Sequence, residues 1–137
     1  MAKYGSDSLK IEIKDGEGGL GELRDISADV LEFNGLDISA ETEESHGFGK
    51  SWAEYLATGL YRGADITLKG FYDDTTSTGT DALLSRKGVT TEMVVTWGGT
   101  KTSTFDVLIK NYKRLPARGE LTKYECTMAI SGEVVEA

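Results

Sequence analysis

The sequence has few of the residues that build metal centres, disulfides and membrane spans. Its 137 residues include one cysteine, Cys126, and one histidine, His46. A disulfide framework and a zinc site of several Cys or His ligands are therefore excluded. No apolar run approaches the roughly 20 residues that cross a bilayer, and the N-terminus lacks the apolar core of a secretion signal. We therefore expect neither membrane insertion by this chain nor export.

Proline is also scarce, and charge is unbalanced. One proline stands against 17 glycines, which suits a β-rich chain with many glycine turns. The 23 acidic and 15 basic residues give a net charge of −8, which disfavours tight binding to nucleic acid phosphates. Residues 29–54 hold seven acids against one base, whereas residues 101–123 hold six bases against two acids. Such segregation is typical of separate solvated segments, but it also suits subunits that join acidic to basic surfaces.

Alternation of apolar and polar residues predicts that most of the chain forms strands. Leu9, Ile11 and Ile13 alternate with charged residues in the first of these segments. Comparable patterns recur around residues 66–72, 93–97, 105–109 and 124–130. About seven strands indicate a mainly β protein, folded as one domain over residues 1–137. We expect two packed antiparallel sheets, as a sandwich or partly closed barrel, with one or two short helices, one of which covers an opening.

Two short helices and one bend complete the predicted elements. Ser51 and Glu54 match a capping box, and a helix is predicted over residues 51–59. A second helical turn is predicted over residues 81–87. The apolar parity changes at residues 34–35. A hairpin there would place two acids opposite each other, so a bulged or bent strand is favoured.

Residues with catalytic or ligand-binding potential are sparse. Gly16, Gly18 and Gly21 satisfy G-x-G-x-x-G, but no helical spacing follows, so a hairpin tip is predicted instead of a dinucleotide site. His46 stands in a polar segment, and no nucleophile-elbow motif accompanies it. Cys126 lies on the apolar parity of its strand, as a buried thiol would. We therefore expect a protein that is not an enzyme and that has no cofactor or metal ion.

Residues 42–60 resemble the central segment of tail tube proteins from long non-contractile-tailed bacteriophages. In that family a polar loop, a Phe-Gly pair, a short helix and a Gly-Leu pair precede a long strand. Here the pairs are Phe48-Gly49 and Gly59-Leu60, and residues 64–74 are similar to that strand. The resemblance is best over residues 8–85 and implies a tail-tube-like fold.

The resemblance also implies a structural role. Tail tube subunits assemble into hexameric rings whose inner sheets join into one barrel, which leaves no open strand edges. The rings stack into a tube, and genome DNA leaves through its lumen without specific binding. Implied partners are further copies of this chain and other tail proteins, such as the tape measure, tail terminator and distal tail proteins. The implied location is the virion tail, assembled in the host bacterial cytoplasm. Related rings of contractile tails and type VI secretion stay open as alternatives.

Charge segregation and the resemblance together predict two sets of functional residues. The first would contact neighbouring subunits or rings: Glu43, Glu44, Phe48, Lys50, Trp52, Lys113, Arg114 and Arg118. The second would face the lumen, where acids would keep DNA phosphates from binding: Glu12, Glu32, Asp37 and Glu41. A simpler interpretation is that these acids only keep a subunit soluble.

Two other classes of function remain open at this point. A small β-sandwich could bind carbohydrate through Trp52, Trp97 and the Asp-rich segment at residues 73–81, and it would be a monomer. A weaker alternative is an acid/base enzyme that uses scattered carboxylates, for which the sequence marks no particular pair.

Overall fold

The computed structural model describes residues 8–18, 20–45, 54–76 and 79–137, with the backbone alone for residues 43–45 and 54–60. The described strands are β1 (Lys10–Lys14), β2 (Leu23–Asp25), β3 (Val30–Phe33), β4 (Ile38–Ser45), β5 (Glu54–Gly63), β6 (Ile66–Phe71), β7 (Thr90–Thr96), β8 (Thr102–Leu115) and β9 (Lys123–Glu136). One helix, α1 (Thr80–Leu84), and one 3₁₀ turn (Ser27–Asp29) accompany them.

Seven strands form one antiparallel sheet in the order β2-β1-β7-β8-β9-β6-β3. The remaining two, β4 and β5, form a separate antiparallel pair. The described residues therefore contain nine strands where the sequence pattern predicted about seven. The predicted class, a mainly β fold of antiparallel sheets with one or two short helices, is confirmed. One sheet is large and curled, and the second is small.

The large sheet is curled around a single core. Phe33 on β3 stacks on Trp97, the residue after β7, with ring centroids 6.2 Å apart, although these strands are far apart in the sheet order. Helix α1 adds the buried side chains Leu83 and Leu84 to the same core. The core also holds the strand residues that alternation placed on buried faces: Ile11, Ile13, Ile66, Leu68, Met93, Val95, Phe105, Val107, Ile109, Tyr124, Cys126 and Met128.

The helix predicted over residues 51–59 is wrong where the structure describes it. From Glu54 onward the chain is strand β5, which pairs with β4 from Ser45↔Glu54 to Ile38↔Gly63. The segment before it, for which the resemblance implied a polar loop, is likewise strand β4 as far as Ser45. A capping pattern is a local signal, and here pairing with a second strand overrides it.

The bend predicted at residues 34–35 is a crossing between two sheets. β3 pairs with β6 in the large sheet, whereas β4 pairs with β5, so a hairpin between β3 and β4 is excluded. The Asn34 side chain fixes the crossing: its amide donates to the Asp65 carbonyl at 3.0 Å, and its oxygen accepts from the Thr67 N–H at 2.9 Å. Gly35 follows with φ +91°, a left-handed conformation that favours glycine.

Arg86, just after α1, joins the helix to the turn between β1 and β2. Its guanidinium donates to the carbonyls of Lys14, Asp15 and Gly16 at 2.9–3.1 Å, and its Nε donates to Leu83 at 2.9 Å. The turn connects two antiparallel strands, which confirms the hairpin interpretation of the glycine motif.

Candidate assembly surfaces

The β4–β5 hairpin exposes two large apolar residues in the part whose side chains are described. Its described arms run eight residues in β4 and ten in β5, about 26 Å and 33 Å at 3.3 Å per residue. Two-stranded sheets of this kind are marginally stable alone in water. Ile38 is 42% exposed and Tyr61 is 70% exposed. The hairpin therefore offers a surface that packing against a second chain would stabilise.

The base of the hairpin rests on strand β9. A Cβ atom at Gly63 would stand 2.6 Å from Cδ1 of Ile130, so the Ile130 side chain lies directly against the Gly63 backbone. A groove of about 720 Å³ opens beside this contact. Its walls combine apolar residues with charges: Ile38, Tyr61, Arg62, Gly63, Ile130, Gly132, Glu133 and Val134. Arg62 forms an ion pair with Glu41 across the hairpin.

Among the described strands, the large sheet has open edges. β2 and β3 end the strand order. A third open edge lies within β8, because β7 pairs with its first half alone, from Thr102 to Leu108. One more pair of backbone bonds joins Ile109 to Val89 and Gly88. Beyond that point no described strand pairs with residues 110–115 on that side. Unpaired backbone donors and acceptors of this kind template pairing with another strand.

The solvent-facing side of the sheet carries a row of alternating charges. Glu32 lies opposite Lys69, Lys69 opposite Glu125, and Glu125 opposite Lys113. Directly opposed residues of antiparallel strands lie on one face. The row therefore crosses β3, β6, β9 and β8, with an acid at one end and a base at the other.

Only part of the predicted contact set falls on described side chains. Phe48, Lys50 and Trp52 lie outside the described residues, as does His46. Glu43 and Glu44 belong to β4, where their backbones pair with Leu56 and Tyr55. Lys113 and Arg114 stand on the second half of β8, and exposed Arg118 lies between β8 and β9.

Arg114 is already held within the subunit. Its guanidinium forms an ion pair with Asp81 of α1 at 2.7 Å and lies over the rings of Tyr72 and Tyr112. The hydrogen bond to Asp81 raises the pKa of Arg114. Any contact of Arg114 with a neighbour must therefore share the guanidinium with Asp81.

The four predicted lumen acids stand on different elements. Glu12 lies on β1 and Glu32 on β3, at opposite ends of the large sheet. Asp37 is in the crossing before β4, and Glu41 is on β4. Glu32 shares its face with Lys113. Whichever way that face points in an assembly, these two charges point the same way.

The sequence did not point to Ile38 and Tyr61, the apolar residues of the groove. It also did not point to Lys69 and Glu125, the middle of the charge row. Both charges stand on the polar parity of predicted strands, which marks them as exposed. Their alignment was not predictable, because strand order and register join segments more than 50 residues apart.

Trp97, one of the two tryptophans of the carbohydrate-binding alternative, is held by contacts within the subunit. Trp97 donates from Nε1 to the Ser103 hydroxyl at 2.8 Å and stacks on Phe33, so it anchors the core. Asp73 accepts hydrogen bonds from the Thr75 N–H and hydroxyl. Throughout the described ranges, no three His, Cys, Asp or Glu side chains are placed to hold a metal ion.

Cys126 is a core residue, as its parity predicted. It is fully buried, and burial raises its thiol pKa to about 12. A thiol in that state is a poor nucleophile.

Among the described helices, none is long and apolar enough to cross a bilayer.

Solved structures that share this fold come from tails and related particles. A protein in the tail of an empty gene transfer agent particle, refined with C6 symmetry, matches with TM-score 0.78 and 17% identity, over 98% of this chain and 99% of that chain. A protein of the six-fold symmetrised baseplate of the anti-feeding prophage matches with TM-score 0.71 and 13% identity, over 100% and 97%. The SPP1 tail tube protein matches with TM-score 0.65 and 8% identity, over 98% and 78%.

No protein-family model and no curated protein sequence matches the chain. The likeness to these three structures therefore stands on shape, and it confirms the tail-tube-like fold that residues 42–60 suggested.

Proposed function

We propose that this chain is the structural subunit of a phage-type tail tube, with copies assembled into hexameric rings that stack. The observation that carries the proposal is the full-length match to a protein from a C6-symmetric tail. A second support is independent of that likeness. The two-stranded hairpin and the open strand edges are features that contacts between copies would stabilise.

The hairpin and the second half of β8 are the proposed contact regions. Hairpin contacts use Glu43 and Glu44, with Phe48, Lys50 and Trp52 in the segment that follows β4. The basic side chains Lys113, Arg114 and Arg118 would face the acidic segment 29–54 of a neighbouring copy, which includes Glu32 as well as Glu43 and Glu44. Opposite charges on these surfaces would set the register between copies and disfavour wrong partners.

The lumen is proposed to carry Glu12, Glu32, Asp37 and Glu41 and to conduct DNA during ejection without binding it specifically. On the large sheet, lysines stand beside acids: Lys14 pairs with Glu92, Lys10 with Glu12, and Lys69 with Glu32. Paired lysines hold phosphate less strongly than a continuous cationic track would. The wall would therefore let DNA slide.

The role is structural and not enzymatic, and no cofactor is invoked. Other tail proteins, including the tape measure, tail terminator and distal tail proteins, are the proposed further partners. The subunit would assemble in the host bacterial cytoplasm and reside in the virion tail.

Negative-stain electron microscopy of the purified full chain over a concentration series tests the proposal. Six-fold rings or tubes are expected, and their appearance should depend on concentration. A chain that stays monomeric at all concentrations would reject the proposal. Binding of that monomer to a glycan array would favour the carbohydrate-binding alternative.

A further inference from the structure

We infer that Lys113 of one copy pairs with Glu32 of the next, where the second half of β8 adds to the edge strand β3. The inference rests on the proposed assembly of this chain and names the joint between neighbours. It follows from three observations on the described residues: the charge row, the two open edges and the strand directions.

The charge row supplies complementary ends. Along Glu32, Lys69, Glu125 and Lys113 the sign alternates at every strand, at a spacing of about 4.8 Å. Placing Lys113 beside the next copy's Glu32 continues this alternation without a break. Opposite charges directly across two strands stabilise the pairing, whereas like charges destabilise it.

Lys113 is also available for such a contact. It is exposed, and within the described ranges it lies in no ion pair of 4 Å or less. Glu32 is 3.9 Å from Lys69, at the limit of an ion pair. Each end of the row therefore retains capacity to bind an opposite charge.

As far as the described strands go, both backbone edges at the ends of the row are open. β3 pairs with β6 on one side and ends the sheet on the other. Residues 110–115 pair with β9 on one side, and no strand of the described chain covers the other. Joining these edges would satisfy backbone groups that otherwise stay exposed, which is the usual cause of strand addition.

Strand direction favours this joint over the other candidate. All neighbours in the sheet are antiparallel, so β3 and the second half of β8, three places apart, run in opposite directions. A rotated copy would therefore present β8 antiparallel to β3. β2 is six places from β3 and would meet it in parallel. β2 also ends in Asp25, opposite Glu12, and would bring a further acid towards Glu32.

A joint between two different surfaces repeats head to tail, so it closes a ring if the rotation permits. The test uses two charge reversals, Glu32→Lys and Lys113→Glu, in the full-length chain. The first variant has a positive charge at both ends of the row, and the second has a negative charge at both ends. Each variant alone would place like charges at every joint. A mixture could alternate and place opposite charges at every joint.

Sedimentation velocity and negative-stain microscopy provide the measurement. Each variant alone should need a concentration about tenfold higher than the wild type for half-assembly, and an equimolar mixture should recover most of that loss. The matched control is a mixture of Lys69→Glu and Glu125→Lys, which makes the same charge changes inside the row. This mixture should assemble no better than either of its components alone. Thermal unfolding of each variant checks that it folds.

Two results would overturn the inference. One is a mixture that assembles no better than its components while the wild type assembles. The other is normal assembly of both variants alone. If a reversal does not fold, Glu32→Gln and Lys113→Gln replace it, and assembly should then lose salt sensitivity. A wild-type chain that never assembles rejects the proposed function itself, which separates that failure from a wrong joint.

Discussion

The carbonyl oxygen of Asp29 lies directly over Gly70, where a Cβ atom at residue 70 would stand 1.7 Å from it. The oxygen belongs to the backbone, so no rotation of a side chain removes the overlap. Val30, the next residue, pairs with Gly70 at the start of β3. Glycine at this position thus lets the turn before β3 rest on β6, and it helps to place the edge strand.

Gly70→Ala should therefore destabilise the subunit. Because the backbone of the preceding turn must shift, we expect a loss of about 2–3 kcal/mol in the free energy of unfolding. Urea unfolding followed by circular dichroism measures it. Lys69→Ala, on the exposed face of the same strand, is the control and should change stability by about 0.5 kcal/mol or less. Equal stability of Gly70→Ala and the wild type would contradict this account.

The buried faces of the large sheet were predictable because each strand carries its own period. Ile11 and Ile13, or Phe105 and Val107, alternate with polar neighbours, and burial of one face enforces that pattern. The short helix α1 was predictable for a similar local reason, because its apolar residues and the glycine that follows it lie within a few residues of each other. Gly88 has φ +81°, a left-handed conformation that favours glycine after a helix.

The parts that sequence missed depend on distant partners. Residues 51–59 carry a capping pattern, but from Glu54 onward pairing with β4 makes the chain a strand. The crossing at Asn34 is held by groups 31 and 33 residues away. The charge row needs three strand registers at once. None of these is encoded within the short window that a local pattern covers.

Arg86→Ala should cost more than an ordinary surface substitution. The guanidinium satisfies the carbonyls of Lys14, Asp15 and Gly16, which alanine would leave without that donor. We expect a loss of about 2–3 kcal/mol in unfolding free energy, partly offset where water reaches the carbonyls. Arg86→Lys should recover only part of it, because an ammonium lacks the planar fork. Lys87→Ala, exposed beside it, is the control for thermal unfolding.

Cys126 should react slowly with thiol reagents in the folded subunit. Burial raises its thiol pKa to about 12, so little thiolate forms near pH 8. A thiol-specific disulfide reagent at pH 8 should modify the chain slowly when folded and within minutes in urea. Cys126→Ser should destabilise the fold by about 1–3 kcal/mol, because it buries a hydroxyl in the core. Fast labelling of the native protein would contradict the buried placement.

Asp29→Asn should change how stability depends on pH. Burial, and then the charge and hydrogen bond of Asp73, raise the pKa of Asp29 above its usual 3.8. An acid with a raised folded-state pKa lowers stability once it ionises, so the variant should be more stable at neutral pH. The difference should shrink as pH falls through that raised pKa and vanish below 3.8. Thermal unfolding between pH 3 and 7 tests it, with exposed Asp37→Asn as the control.

Tyr61→Ser should weaken assembly without weakening the subunit. Tyr61 is 70% exposed on β5, so its side chain gains little from the subunit's own core. Against a neighbour, burial of a large aromatic side chain would contribute about 1–3 kcal/mol. The half-assembly concentration should therefore rise about tenfold or more, with the melting temperature of the monomer nearly unchanged. Tyr61→Phe keeps the apolar ring and should assemble nearly normally. A serine variant that melts early but assembles at the wild-type concentration would show that Tyr61 stabilises its own subunit instead.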